Sequence, residues 1–388
     1  MTSSIPTIAL VGVGGFGRHH LDNIARLVGL GKVRLAGLIS RSGIGQLAGL
    51  SEPDVLALAS TVPVFPTLDD YLAAAGVPTV VVISSPIQAH TGLALTALRA
   101  GAHVLLEKPP APSLAEFGRL GAASAQTGRA VQVGFQSFGS QALPRLAQLI
   151  DSGALGRIRG VGAIGTWSRS EAYFTRSTWA GKRQLDGQPV VDGVITNPLA
   201  HAVATALKVV GSTRIDHVSR VSLDLYRANA IDCDDTSAVK VLTDRGIPIT
   251  AGLTLAAAAE SPPRVIVWGS RGSATLWYVS DQLDLDLDGQ RSTEHYGRTN
   301  LTENLLDHLA DPAVDLLCPL VDTGAFTQVL EAVRCAPDPR RIDQRFVRWQ
   351  DHDGSRWAVV DQVEFWCERA ASEAATFAEL GAPWAACT

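Results

Sequence analysis

A glycine-rich turn near the start of the chain places the strongest constraint on its fold. Residues 8–20, IALVGVGGFGRHH, run from apolar residues into glycines spaced G-x-G-x-x-G. Gly12 allows a sharp turn after a buried strand, Gly14 lets a pyrophosphate approach the backbone, and Gly17 lets the next helix pack closely. We predict that the helix begins at about Gly15 and aims its N–H groups at phosphates. A tight strand-to-helix turn without a ligand is the alternative. The predicted dinucleotide-binding turn comprises Gly12, Gly14, Gly15, Phe16 and Gly17.

Length and composition indicate two globular domains. The chain has 388 residues, of which 46% are hydrophobic and 18% charged. The net charge is −5 and no basic cluster stands out, so we do not expect nucleic acid as a partner. No apolar run reaches membrane-spanning length, and the first residues lack the basic start of a signal peptide. We therefore expect a cytoplasmic protein, in which the five cysteines are free thiols rather than disulfides or metal ligands.

Residues 1–135 alternate between strand and helix patterns. The run TVVVI, residues 79–83, is typical of a strand that is buried on both faces. Thr67 and Ser113 are predicted helix caps. Strands that alternate with helices form a parallel, doubly wound sheet, so we predict a Rossmann dinucleotide-binding domain over residues 1–135. The other predicted strands are 32–39, 62–65, 103–106 and 130–134, and longer predicted helices are 46–60 and 88–100.

The pattern changes after residue 136, where strand-like runs follow one another. Residues 282–289, QLDLDLDG, alternate strictly and predict a strand with one wet face. Arg245-Gly246 and Arg271-Gly272 resemble hairpin turns, and a late hairpin is predicted at residues 352–354. We therefore predict a C-terminal α+β domain over residues 136–388, built on an open, mostly antiparallel sheet. Its other predicted strands are 158–168, 218–226, 237–243, 248–256, 264–268 and 274–279, with helices at about 141–152, 301–309 and 323–333.

The loop after the second strand bears on the choice of cofactor. An acidic residue there would bind the ribose 2′-hydroxyl of NAD, but the chain has Ser40, Arg41 and Ser42. A hydroxyl and a permanently charged guanidinium suit a 2′-phosphate. The loop therefore favours NADP over NAD, while an ordinary solvated arginine is the alternative.

A second candidate constellation is Glu107-Lys108-Pro109-Pro110, which follows a predicted strand. Ligands bind at the carboxyl ends of strands in doubly wound sheets. Pro109 restricts the backbone of Lys108 to an extended conformation, so the ammonium reaches out from a fixed position. An ordinary surface lysine before a proline turn is equally compatible with composition alone.

Three stretches together resemble the glucose–fructose oxidoreductase, inositol dehydrogenase and rhizopine-catabolism (Gfo/Idh/MocA) family. They are the glycine turn with its trailing histidine, ISSPIQAH at residues 83–90, and HVLLEKPPA at residues 103–111. The resemblance is strong to about residue 160 and patchy beyond it. It implies a Rossmann domain followed by an open-sheet domain, oxidation or reduction of sugars, inositols and related polyols with NAD or NADP, and a homodimer or homotetramer formed through that sheet.

The resemblance also assigns roles to particular residues. It implies that Lys108 touches both substrate and nicotinamide and that the peptide bond to Pro109 is cis. The loop after the strand at residues 79–83 is the family's cofactor-contacting loop, although Ile87 stands where many members have asparagine. The further cofactor-binding candidates are Ser40, Arg41, Ser85, Pro86, His90 and Glu107.

The stretch from Asp192 to His201 is similar to the family's third motif, with Asn197 at its acidic position and Leu199 at a glycine position. The residues themselves predict a helix with Asn197 as N-cap and Pro198 as first residue, which places an amide and an imidazole on one face. A helix N-terminus disfavours imidazolium, and a neutral imidazole is what a general base needs. We therefore predict that His201 and Asn197 are catalytic and touch substrate. Asparagine cannot ionise, and Asp192 is the candidate substitute.

The loop at residues 167–193 is rich in aromatic and basic residues and precedes that motif. Trp179 is a candidate for stacking on a sugar ring. Basic side chains of the loop are candidates for binding hydroxyls or a carboxylate, and an ordinary connecting loop is the alternative. These basic residues are Arg169, Arg176, Lys182 and Arg183.

These features predict a pyridine-nucleotide oxidoreductase that acts on a carbinol carbon. His201 would take the hydroxyl proton, and Lys108 would stabilise the developing charge on the same oxygen. A glycosidase-like lyase that oxidises its substrate transiently is one alternative, and a non-catalytic nucleotide-binding regulator is another. The expected partners are a small polyol or sugar and further copies of the chain, with no metal, nucleic acid or membrane.

Overall fold

The computed structural model describes residues 5–41, 53–352 and 354–386. The chain divides into two compact units, residues 1–134 with 301–320 and residues 135–300 with 321–388. The division predicted from sequence at residue 135 did not include the return of segment 301–320 to the first unit. None of the described helices is long and apolar enough to cross a membrane. Positions outside the described residues include Ser42, residues 46–52 of a predicted helix, Asp353 in the predicted late hairpin, and Cys387.

The first unit is built on a six-stranded parallel sheet in the order β3-β2-β1-β4-β5-β6, as predicted. Its order reverses between β1 and β4, which is where doubly wound sheets bind ligands. The strands are β1 (Thr7–Val11), β2 (Arg34–Ile39), β3 (Val64–Phe65), β4 (Val80–Ile83), β5 (His103–Leu106) and β6 (Val131–Val133). The helices are α1 (Gly17–Gly29), α2 (Pro53–Ser60), α3 (Leu68–Ala75), α4 (Ile87–Ala100) and α5 (Leu114–Thr127).

Local signals explain these elements well. The β-branched run of β4 is at most 1% exposed, because the sheet is covered on both faces. The predicted caps are confirmed, since Thr67 accepts the Asp70 N–H and Ser113 accepts the Glu116 N–H. Gly101 ends α4 in the left-handed conformation that glycine favours.

A later helix, Leu301–Ala310, completes the first unit. Gln132 of β6 donates through Nε2 to the Leu301 carbonyl and to Asn304 Oδ1. Glu303 also forms ion pairs with Arg26 and Lys32. These side-chain contacts link residues far apart in sequence, so periodicity predicts the helix but not the unit to which it belongs.

The second unit contains a nine-stranded mixed sheet in the order β16-β15-β14-β13-β7-β12-β11-β10-β17. Neighbours are antiparallel except for the pairs β7–β12 and β10–β17. The sheet strands are β7 (Ile158–Ser168), β10 (Val218–Arg227), β11 (Thr236–Thr243), β12 (Pro248–Thr254), β13 (Ala256–Gly269), β14 (Gly272–Trp277), β15 (Gln282–Leu287), β16 (Gln290–His295) and β17 (Arg340–Arg341). The short pairs are β8 (Gln184–Leu185) with β9 (Gln188–Pro189), and β18 (Val347–His352) with β19 (Ser355–Val360).

The helices of the second unit are α6 (Ala142–Asp151), α7 (Glu171–Phe174), α8 (Ala200–Val209), α10 (Gly324–Cys335) and α11 (Val363–Glu373). The helix Leu301–Ala310 of the first unit is α9. The two Arg-Gly turns and the late hairpin occur where they are predicted. β13 begins earlier than predicted and includes Pro262 and Pro263. The two prolines lie at a shift in the register of β13 with β7.

The two faces of the sheet are covered by different helices. On β7, a Cβ at Gly165 would meet Leu199, which precedes α8, whereas a Cβ at Gly162 would meet Ala371 of α11 and Trp268. Residues three apart on a strand point to opposite faces. α8 and α11 therefore pack on opposite sides of β7.

The C-terminal segment covers part of one face of the nine-stranded sheet. Gly252 of β12 has no room for a Cβ, because the backbone of Cys367 in α11 packs directly on it. Phe377 and Trp384 join the same buried cluster, and Lys240 of β11 pairs with Glu379. The strands β7, β11, β12 and β13 thus obtain an intramolecular apolar cover on this side.

Candidate active site

The glycine turn of the first unit is shaped by close backbone packing. Gly12 has a φ of +83°, and a Cβ there would collide with the Ser84 carbonyl. A Cβ at Gly17 would collide with the Gly12 carbonyl. Both positions therefore require glycine in this fold. The helix begins at Gly17 rather than at about Gly15, because Phe16 is its N-cap and Gly15 lies in the turn with a φ of +53°.

The loops that follow β1, β2, β4 and β5 lie at one edge of the parallel sheet. Ser40, at the end of β2, is buried and donates its N–H to the Phe65 carbonyl, while Arg41 is exposed. After β4, Ser84 donates its N–H to Val11 of β1, and Ser85 and Pro86 lead into α4. The predicted cofactor residues of these loops are thus brought to the same sheet edge.

Two buried polar atoms, one in the loop after β4 and one in the first turn of α4, fit a polar ligand. Ser85 Oγ and Gln88 Oε1 have no hydrogen-bond partner among the described residues. Buried polar atoms in folded proteins are nearly always paired. Together with the Gly12 and Gly17 backbone geometry, this observation agrees with a dinucleotide held at the β1–β4 edge.

Glu107, directly after β5, is tied to α1 by a contact that sequence reasoning did not identify. Its Oε1 accepts a hydrogen bond from His20 Nε2 at 2.8 Å, and its Oε2 accepts the Lys108 N–H at 3.2 Å. Burial favours a higher pKa for Glu107, but the hydrogen bond and charge of His20 and the charge of Lys108 outweigh it and hold the pKa below its ordinary value. A Cβ at Gly134 would collide with the carboxylate. The only sequence signal for the pair is the histidine that trails the glycine turn.

His90 connects the loop after β4 to the loop that carries Lys108. It is 1% exposed, and its two ring nitrogens each lie 2.8 Å from a carbonyl oxygen, that of Ser85 and that of Pro109. Burial lowers the pKa of His90, so the ring is neutral at pH 7 and donates to one carbonyl at a time. The Lys108–Pro109 peptide bond is cis, as the resemblance implies. The structure thus gives His90 a positioning role within the protein.

His201 lies in the second unit as the second residue of α8. Its Nδ1 is 3.2 Å from Ser137 Oγ, and Thr205 donates its hydroxyl to the same oxygen at 2.8 Å. The Phe135 ring meets the imidazole edge-on at 5.4 Å. Ser137 and Thr205 are both buried, so they fix the ring orientation of a half-buried histidine. Sequence reasoning missed both residues, because nothing in the sequence brings residue 137 close to residue 201.

Asn197 does not cap α8, which corrects the prediction. The N-cap is Leu199, and Asn197 lies in the preceding turn, where its N–H donates to the Gly193 carbonyl. Its side-chain Nδ2 donates to Asp192 Oδ1 at 2.5 Å. Asp192 is 5% exposed, and its Oδ2 accepts the Gly181 N–H at 2.7 Å. The residue proposed as the acidic substitute is thus directly hydrogen-bonded to Asn197.

A second buried carboxylate supports the turn that contains Asn197. A Cβ at Gly193 would collide with the Asp234 side chain, and the Val194 N–H donates to the Asp234 carbonyl. Burial raises the pKa of Asp234 to about 6, despite a hydrogen bond from the Ser237 hydroxyl. The turn that contains Asn197 therefore packs against a carboxyl group whose pKa is raised by burial.

The aromatic and basic loop uses its charged residues in different ways. Arg183 donates to backbone carbonyls at the end of α10, so it caps that helix rather than presenting itself to a ligand. The Arg176 guanidinium lies over the rings of Tyr173 and Trp179, 3.8 and 4.7 Å from their centroids. One face of Trp179 is therefore covered by an arginine.

Sequence comparisons match both units to one family. Residues 7–135 match the family described as GFO/IDH/MocA, "Oxidoreductase family, NAD-binding Rossmann fold". Residues 144–275 match the GFO/IDH/MocA C-terminal domain.

Two curated proteins share part of the sequence. Inositol 2-dehydrogenase of Rhodococcus erythropolis is 34% identical over 151 residues, which are 39% of this chain and 41% of that protein. A 1-carboxy-3-chloro-3,4-dihydroxycyclohexa-1,5-diene dehydrogenase of Comamonas testosteroni is 41% identical over 80 residues, which are 21% of this chain and 20% of that protein. The chain thus aligns with less than half of the length of each.

Solved structures share the fold over most of the chain. The WlbA dehydrogenase of Bordetella pertussis, described in complex with NADH and UDP-GlcNAcA, superposes with a TM-score of 0.68 at 20% identity, covering 85% of this chain and 95% of that one. An aldose–aldose oxidoreductase of Caulobacter crescentus superposes with a TM-score of 0.66 at 17% identity, covering 85% and 96%.

Proposed function

Since the chain belongs to the GFO/IDH/MocA family of oxidoreductases, we propose that it is an NAD(P)-dependent dehydrogenase acting on a sugar, cyclitol or related polyol. The observation that carries this proposal is the edge of the parallel sheet where the loops after β1, β2, β4 and β5 lie. There the glycine turn, two unpartnered buried polar atoms and the Glu107–Lys108 loop follow neighbouring strands. The names of the curated relatives, which include an inositol dehydrogenase and a carboxylated cyclic diol dehydrogenase, support the substrate class.

The residues present fit a nicotinamide dinucleotide. The glycine turn and the N-terminus of α1 would hold the pyrophosphate, and Ser85 after β4 and Gln88 at the start of α4 would face the nicotinamide half. Nicotinamide, when bound, accepts or donates the hydride. Exposed Arg41 at the end of β2 supports the finer proposal that the adenosine 2′-phosphate of NADP is preferred.

The proposed chemistry assigns separate tasks to Lys108 and His201. Lys108 would donate a hydrogen bond to the reacting oxygen and stabilise the negative charge that develops there. His201 would take the hydroxyl proton during oxidation and return it during reduction. Glu107 and His90 would hold the Lys108 loop in place through the contacts described above.

A panel of free sugars, cyclitols and glycosides with either cofactor tests the proposal. An increase in absorbance at 340 nm with a free polyol would support the proposed dehydrogenase. Release of an aglycone without net change at 340 nm would instead identify the glycosidase-like lyase. Binding of cofactor without conversion of any probe would favour the non-catalytic regulator.

The resemblance implies that copies of the chain assemble through the sheet of the second unit. The position of the C-terminal segment argues for a different surface. The C-terminal segment already covers the strands β7, β11, β12 and β13 on the side opposite α8. We propose that copies of the chain do not associate through this face. Light scattering combined with cross-linking tests this, and cross-links that join these strands between two copies would contradict it.

A further inference from the structure

The basic residues of the loop at 167–193 are not equivalent in the structure. Arg183 donates to the carbonyls of Val333, Arg334, Ala336 and Pro337 at distances of 2.7 to 3.1 Å. Arg169 donates to Glu260 at 2.7 Å and to the Ser168 carbonyl. Lys182 pairs with Asp232 at the surface, 3.2 Å away. These three cations are therefore engaged by the protein itself.

Arg176 is held differently, because two aromatic rings fix the plane of its guanidinium and, among the described residues, only its Nη1 and Nη2 face protein acceptors. Its Nη1 donates to the Tyr173 carbonyl at 2.7 Å, and Tyr173 and Trp179 pack against the guanidinium. Its Nη2 is 3.5 Å from Asp192 Oδ2, which is longer than an ordinary hydrogen bond. The side chain is 29% exposed. A guanidinium has five N–H donors in a rigid fork, so this one is oriented in advance with donors left for a second acceptor.

Arg176 is also connected to the proposed reaction site within the second unit. Asp192, which faces its Nη2, accepts the Asn197 side-chain amide through its other oxygen. Asn197 occupies the acidic position of the family's third motif, four residues before His201. A ligand group bound by Arg176 would therefore lie within a short chain of contacts from that motif.

We propose that Arg176 determines substrate specificity by binding a carboxylate carried on the polyhydroxylated ring of the substrate. A carboxylate matches the guanidinium fork in a bidentate manner, and the charge-assisted bonds are stronger than those of a hydroxyl. Asp192 Oδ2, which accepts the Gly181 N–H, lies 3.5 Å from Nη2, so the Asp192 carboxylate pairs with the arginine without a bidentate contact. This inference rests on the proposed function, since it names the class of the same substrate as a carboxylated cyclic polyol.

Matched pairs of probes test this inference directly. D-glucuronate, D-galacturonate and quinate are each compared with a neutral partner, namely D-glucose, D-galactose and methyl quinate. Calorimetry measures the binding of each to cofactor-loaded protein, and absorbance at 340 nm measures its conversion. We expect the native protein to bind at least one acid tenfold or more tightly than its neutral partner.

Variants separate recognition from structural support. Arg176→Gln should weaken binding of the preferred acid by about 10- to 100-fold and leave the neutral partner unchanged, because only charge-assisted bonds are lost. Arg176→Lys should lose part of the affinity, since it keeps the charge without the fork, and it serves if the glutamine variant fails to fold. Arg159→Gln, which removes an exposed positive charge of the second unit outside this loop, should change neither the affinity for the acid nor that for its neutral partner.

The inference is wrong if the native protein prefers none of the acids, or if Arg176→Gln weakens acids and neutral partners equally. Failure of the proposed function looks different. In that case the acids bind selectively and Arg176→Gln removes the selectivity, but no probe reduces either cofactor.

Discussion

His20 Nε2 lies 2.8 Å from Glu107 Oε1, and both side chains are buried. This contact joins the helix that follows the glycine turn to the loop that begins with Lys108. The second oxygen of Glu107 accepts the Lys108 N–H, so the same carboxylate positions the lysine backbone. The two motifs that the sequence presents separately are therefore one connected structure.

We expect Glu107→Gln to reduce the dependence of stability on acid pH. The pKa of Glu107 is lower in the folded protein than its ordinary value of 4.5. Ionised Glu107 therefore stabilises the fold above that value, and the contribution is lost as pH falls through the folded pKa. Denaturant unfolding at pH 7 and pH 4 measures the unfolding free energy of both proteins. The native protein should lose more unfolding free energy between these pH values than Glu107→Gln does.

Asp151→Asn, which changes an exposed carboxyl group, is the control and should behave like the native protein. An equal loss of stability for the native protein and Glu107→Gln would show that the Glu107–His20 contact does not contribute in this way.

Much of the fold could be predicted from sequence because its signals are local. The parallel sheet follows from alternating strand and helix patterns, and caps such as Thr67 and Ser113 act within one turn. The return of segment 301–320 to the first unit and the cover formed by α11 could not be predicted. Both depend on contacts between residues far apart in the chain, such as Gln132 with Asn304 and Gly252 with Cys367.

The candidate site shows the same division between local and distant signals. Gly12, Gly17 and the Lys108 loop are recognisable from spacing alone. The contact of Ser137 with His201 links two separate elements, so no spacing in the sequence predicts it. The prediction of Asn197 as an N-cap is wrong, although the sequence Asn-Pro is a good cap signal. In the structure the Asn197 amide donates to Asp192.

Arg41→Ala should weaken the binding of NADP far more than that of NAD. The exposed guanidinium at the end of β2 would lose its contact with the 2′-phosphate, and a charged hydrogen bond is worth ~1.5–3 kcal/mol, or roughly 10- to 150-fold in affinity. Titration of the protein with each reduced cofactor, followed by nicotinamide fluorescence, measures the two dissociation constants. Arg34→Ala, at the start of the same strand, is a matched control. Equal losses for both cofactors, or tighter NAD binding by the native protein, would contradict the NADP preference.

Asn197→Asp should destabilise the protein at neutral pH rather than simply restore a family residue. The new carboxylate would lie against Asp192, where Asn197 now donates at 2.5 Å, so two like charges would share a buried position. We expect a loss of ~1–3 kcal/mol in unfolding free energy at pH 7, from the broken hydrogen bond and the repulsion between the two carboxylates. The loss should shrink toward pH 5, because the raised pKa of one carboxyl lets it bind a proton and donate again.

Asn197→Ala removes the hydrogen bond without adding charge, so its loss of stability should vary much less between pH 7 and pH 5. Denaturant unfolding at both pH values compares the two variants. The same pH dependence in both would show that Asp192 and residue 197 are not in contact.

Phe377→Ala should show how strongly the C-terminal segment holds the sheet. Phe377 is fully buried, with its ring 4.9 Å from that of Trp384. Truncating a buried phenylalanine costs ~3–5 kcal/mol in unfolding free energy. Phe365→Ala, on the outer side of α11 and 51% exposed, should cost well under half as much. Denaturant unfolding measures both, and similar losses would argue against a tightly packed cover.

The most direct test of the proposed dehydrogenase is the reaction rate of a Lys108 variant, measured at saturating cofactor. The native protein should reduce NAD or NADP at 340 nm with at least one cyclic polyol. At saturating cofactor, Lys108→Met should lower kcat by roughly two orders of magnitude or more, because it removes charge stabilisation at the reacting oxygen. No reduction by the native protein with any polyol, or an unchanged kcat in Lys108→Met, would contradict the account.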